Sequence, residues 1–155
     1  MLDLLRMKGA HADFDSTVDA FPVDLRGKKI PGAPHTAWQL LEHLRIAQED
    51  ILDYSRNSDY QNKKWPDDYW PKSAAPPGDA AWDQSIARFR KDLKAIERLI
   101  SGAGVDLMAP LPHAKGHTLL RQALLVADHN SYHLGQLMFL RKTLEEKQRL
   151  TKKTV

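Results

Sequence analysis

The chain contains no cysteine. Disulfides and thiolate metal ligands are therefore excluded, and any zinc-like site must be built from histidine and carboxylate. A nucleophilic thiol, if the chemistry uses one, has to come from another molecule. Long apolar runs are absent too. Nothing approaches the roughly 20 residues that span a bilayer, and the acidic residues early in MLDLLRMKGAHADFD do not fit a cleavable signal. A cytoplasmic protein without a membrane partner is the expectation. A face of one charge is missing as well. The formal net charge is only +3, and outside the basic end RKTLEEKQRLTKKTV the Lys and Arg residues alternate with Asp and Glu. That pattern argues against a nucleic-acid partner. No segment alternates at period two, so strands are not expected.

What is present is helical periodicity. A chain of 155 residues with 42% hydrophobic and 28% charged composition suits one globular domain over residues 1–155, with 148–155 as a frayed basic tail. A first, weak helix is expected over 2–20, with Leu2, Leu5, Phe14 and Val18 inward, stopping before Pro22. A second opens at Thr36, a suitable N-cap, and runs to about 56 with Leu40, Leu44, Ala47, Ile51 and Tyr54 as its stripe. The third starts near Asp79 and carries Trp82, Ile86, Phe89, Leu93, Ile96 and Ile100, the spacing of a bundle seam. Gly102 and Gly104 end it. The fourth covers about 118–147. Between the second and third lies NSDYQNKKWPDDYWPKSAAPPGD, far longer than antiparallel neighbours need. This reads as a crossover or a lid. The fold class is all-α, a four-helix bundle.

The chemistry sits in VADHNSYHLGQL. At about 100° per residue, His133 falls within about 40° of Val126 on the inward face of the fourth helix, and His129 about 60° to one side. Four residues apart, the two rings are neighbours, with Cβ atoms roughly 5–6 Å apart. Burying them unpaired costs on the order of 1–3 kcal/mol each, and a shared divalent cation is an economical partner. His43, on the edge of the second helix's stripe, is the candidate third ligand. Three imidazoles leave a coordination position for water, the arrangement of a catalytic site. A pair of inward histidines that only pack and hydrogen-bond has the same spacing, and that alternative predicts a non-catalytic dimeric binding protein.

HTAWQLLEHLRIAQEDI, followed some way downstream by LLVADHNSYHLGQLMFLRK, resembles the DinB-like (DinB/YfiT) superfamily. The resemblance covers almost the whole chain, including the aromatic, proline-rich connection. It implies metal ligands at His43, His129 and His133, a zinc or nickel ion, helices in the spatial order 1-2-4-3 and pairing as a homodimer. The better-understood branches are thiol-dependent enzymes, such as maleylpyruvate isomerase using mycothiol and bacillithiol S-transferases. The resemblance thus implies a metal-dependent S-transferase or hydrolase, with a low-molecular-weight thiol or water activated against a small-molecule substrate.

Other residues near the site have less specific expectations. Asn130 points inward, either to contact substrate or metal-bound water or to cap a neighbouring carbonyl. Gln136 falls on the His129 side as a donor to a ligand imidazole. Asp128 and Glu42 project away, as salt-bridge groups between helices or subunits. Gly135 costs helix stability, which suggests close approach of another helix. His11 is an outside candidate for the pocket, while His35, His113 and His117 read as solvated or capping. Trp65, Tyr69 and Trp70 either roof the pocket or pin the connection to the bundle surface.

Overall fold

The computed structural model describes residues 1–114 and 116–153. Its elements are α1 (Leu2–Leu5), α2 (Phe14–Val18), a 3₁₀ turn (Val23–Leu25), α3 (Ala37–Arg56), α4 (Ala81–Ser101) and α5 (Leu119–Lys153). Every regular element among the described residues is helical.

The expected first helix is broken in two. Met7 and Gly9 both adopt left-handed backbone conformations, φ 56° and 111°, which end α1. Asp13 then caps a new helix by accepting from the Ser16 amide at 2.9 Å. The inward residues are still those the spacing indicates: Leu5, Phe14 and Val18 are buried. The second helix starts where its cap indicates. Thr36 and Gln39 form a reciprocal capping box, each side chain taking the other's backbone amide.

The implied order 1-2-4-3 is corrected by the packing. It would hold the second and third helices apart, yet α3 and α4 lie side by side. They also run in the same direction. Trp38 and Leu41 share a core cluster with Trp82 and Ile86, Gln48 donates to the Phe89 carbonyl at 2.8 Å, and Leu52 meets Ile96 and Ile100. Parallel neighbours force the chain to return the full length of a 20-residue helix, about 30 Å, which is why the 57–80 connection is long. α5 runs against α3 on its other side, with His133 beside His43 and Asn130 beside Gln48. The N-terminal segment closes the arrangement between α4 and α5. Phe14 stacks on Phe89 at 3.9 Å, and Arg141 donates to the carbonyls of Ser16, Thr17 and Asp19.

α5 also extends past the expected end, and residues 148–153 are helical instead of frayed. Ion pairs one turn apart, Arg141–Glu145 and Arg149–Glu146, support it, and Gln148 donates to Asp24. Thr154 and Val155 lie outside the described residues. Gly135 is corrected too: among the described residues nothing beyond its own stretch of helix lies within 4 Å of where its Cβ would stand, so no other described helix approaches it.

Candidate metal centre

Three rings converge. The antiparallel pairing of α3 with α5 brings His43 Nε2 to 3.1 Å from His133 Nε2 and 3.1 Å from His129 Nε2. One nitrogen from each ring lies within 4.8 Å of the others. His43 is 2% exposed and His133 is 9% exposed, while His129 is half-buried, as its position at the side of the inward face requires.

The opposite nitrogens fix the protonation. His43 Nδ1 lies 2.9 Å from the Tyr69 carbonyl, and His133 Nδ1 lies 2.9 Å from Gln136 Oε1. Both partners only accept, so each Nδ1 carries the proton. The two Nε2 atoms that face each other at 3.1 Å are then both lone pairs. Burial pushes His43 and His129 down to about 4, with neighbouring histidines adding to the effect, and it lowers His133 too. At neutral pH the rings are uncharged, the form that ligates a cation. Nitrogen lone pairs aimed at one another are repulsive by themselves. A cation between them turns that repulsion into attraction, so the donor set fits a divalent metal.

The connection roofs this cluster. Trp70 stacks flat on His43 with centroids 3.8 Å apart and on His35 at 3.7 Å. Trp65 meets His43 only edge-on at 6.5 Å and is largely exposed. Tyr69 holds the roof down twice: its carbonyl accepts from His43, and its hydroxyl donates to Asp50 at 2.7 Å. Asp50 also accepts from the Tyr60 hydroxyl at 3.0 Å. Burial, aided by the Asp50 charge, pushes the Tyr60 hydroxyl up to about 12 and raises that of Tyr69 still further.

Residues 6–137 match the family model of the DinB superfamily. The chain belongs to the DinB superfamily. The matched stretch contains all three histidines of the cluster and the whole roof. No curated protein and no solved structure matches the chain.

Several neighbours of this DinB centre stand elsewhere than the sequence suggested. Gln136 serves His133, not His129, and as an acceptor instead of a donor. Asn130 is fully buried and donates to Gln48 Oε1 at 2.9 Å, and Gln48 is held in turn by the Phe89 carbonyl. Asn130 Oδ1 and His129 Nδ1 are both buried without a partner among the described residues. Glu42 pairs with Arg45 within its own helix, and Asp128 is exposed. His11 is exposed beside the Ala12 carbonyl, away from the cluster. His35 belongs to the Trp70 stack, and His113 and His117 both bond Tyr54. An apolar cavity of about 400 Å³ lies between the 30–35 loop, Gln136 and Phe139. It adjoins Gln136, on the Nδ1 side of His133, and none of the three histidines lines it. The sequence reading missed Gln48, though a glutamine one turn after Leu44 on the buried stripe was its signal. The Tyr69 carbonyl left no signal, because a backbone group has none.

Proposed function

We propose that this DinB-superfamily chain is a metalloprotein that holds one divalent cation, zinc or nickel, on the Nε2 atoms of His43, His129 and His133. The observation that carries the reading is the facing pair of lone pairs on His43 and His133, each fixed by an acceptor behind its ring. A divalent ion held there supplies Lewis acidity to a bound thiol or water at neutral pH. The protein's own residues prepare the site. Tyr69 and Gln136 hold the tautomers, burial keeps the rings uncharged, and the Trp70 indole excludes water from one face of His43. With no cysteine in the chain, a sulfur nucleophile is borrowed from a low-molecular-weight thiol. The activity is transfer to, or hydrolysis of, a small electrophilic molecule.

The same reading takes residues 1–155 as a single four-helix bundle domain, with α1 and α2 together forming one strut. It also takes the protein as a cytoplasmic homodimer. Leu125, Tyr132 and Phe139 are exposed at seven-residue intervals along α5, and the open backbone at Gly135 lies on the same side. Such a stripe is the seam of a helix pair.

The deciding measurement is the metal content of untagged protein, wild type against His129→Ala/His133→Ala. About one equivalent of zinc or nickel per chain is expected in the wild type, lost in the double variant. Less than about a tenth of an equivalent after loading and dialysis overturns the assignment and leaves a helical binding protein.

A further inference from the structure

A second polar site lies on the same two helices, away from the histidine cluster. Seven residues separate His129 from Gln122 on α5, about 10 Å along the axis. There the loop before α5 brings His117 against α3, and the Tyr54 hydroxyl bonds His117 Nδ1 at 2.7 Å. A cavity of about 320 Å³ opens at this corner, within the size range of small-ligand sites.

Its lining is rich in uncommitted donors. Arg121 makes no ion pair among the described residues, and its guanidinium has only a 3.4 Å contact with Gln122 Oε1. Gln122 is 3% exposed, and its Nε2 is buried with no hydrogen-bond partner among the described residues. An orphaned buried amide costs about 1–3 kcal/mol, so it marks a place where a partner belongs. The inner cavity on the other side of Gln122 is only about 10 Å³. Its other polar lining group, Ser55, already donates to the Ile51 carbonyl. That space cannot offer a water the several polar contacts it needs. Among the described residues His117 Nε2 has no hydrogen-bond partner either, while Nδ1 is held by Tyr54. Asp50 is the one acid of the lining, and both its oxygens are occupied by the Tyr60 and Tyr69 hydroxyls.

We infer that this corner binds a small oxyanion, a carboxylate or phosphoryl group, on Arg121 and His117 Nε2, with the buried Gln122 amide turning its Nε2 toward the anion as it enters. With the Tyr54 hydroxyl donating to His117 Nδ1, the imidazole proton stands on Nε2, and a guanidinium, an amide N–H₂ and this N–H together suit an anion with two or three oxygens. The site stands independently of the metal.

The test uses the full chain treated with chelator, followed by NMR of the Arg121 Nε–H and Gln122 side-chain amide. Sodium phosphate and sodium succinate are titrated separately at constant ionic strength. Saturable shifts are expected at both groups, with phosphate alone assigning a phosphoryl ligand and succinate alone a carboxylate. Arg121→Gln, at an exposed position that does not threaten folding, weakens the binding by about tenfold or more, the worth of a charge-assisted hydrogen bond. Lys142→Gln removes the same charge from an exposed position farther along α5 and leaves the affinity unchanged. No saturation with either anion up to about 50 mM overturns the site. Equal weakening by the two variants overturns it also, because it reduces the effect to general charge.

Discussion

Metal-free protein will lose stability on mild acidification, through the histidine cluster. His43 and His129 have an ordinary value of 6.5 and are held at about 4 in the folded chain, chiefly by burial. The unfolded chain therefore takes up protons on these rings near pH 6.5, while the folded chain refuses them until about pH 4. Stability is highest above 6.5 and falls as the pH drops through that window. Between the two values each ring contributes about 1.4 kcal/mol per pH unit, so the pair approaches about 2.7 kcal/mol per unit. Over the whole window each ring is worth on the order of 3 kcal/mol. Against a total of roughly 5–15 kcal/mol for a domain, that is readily measured. The assay is urea unfolding in the presence of chelator at half-unit steps from pH 7 to 5, mostly above the carboxylate range. His133 is lowered by burial as well, so His129→Leu, which removes one ring of the cluster, is expected to reduce the slope by up to about 1.4 kcal/mol per pH unit. A stability that stays flat over this range, or a slope that His129→Leu leaves intact, would refute the argument that burial keeps these rings neutral.

Replacing Gln136 with Leu strands the His133 Nδ1–H. Metal affinity in a competition assay is expected to fall by about 10–100-fold, as for loss of a hydrogen-bond partner behind a ligand, while helix content holds. Gly27→Ala places a methyl 2.5 Å from Ala75 Cβ and 3.0 Å from its Cα. The connection must shift there, beside the Thr36 bond to the Ala74 carbonyl. A loss of about 1–3 kcal/mol is expected in denaturant unfolding, with weaker Trp70 stacking seen as a red-shifted fluorescence spectrum. Tyr132→Asp/Phe139→Asp puts charge on the exposed α5 stripe. Sedimentation analysis is expected to show a dimer for the wild type and a monomer for the variant, with metal content unchanged.

The sequence by itself determined the helical class, the α3 cap at Thr36, the inward stripes and which histidines stand on or beside them. These are local properties: periodicity places a side chain on one face of its own helix, and a cap satisfies amides three residues away. The break at Gly9 and Asp13 was also written locally, in a glycine followed by a capping aspartate. What only the tertiary structure decided is how faces are paired. Periodicity gives a stripe but not the neighbour that covers it, nor the direction in which that neighbour runs. The parallel packing of α3 with α4 fixed the course of the long connection, and that course put the Tyr69 carbonyl behind His43 and Trp70 over it. The protonation of the centre follows from that carbonyl. A backbone oxygen is the same in every residue, and it gains a role only from what the fold sets opposite it.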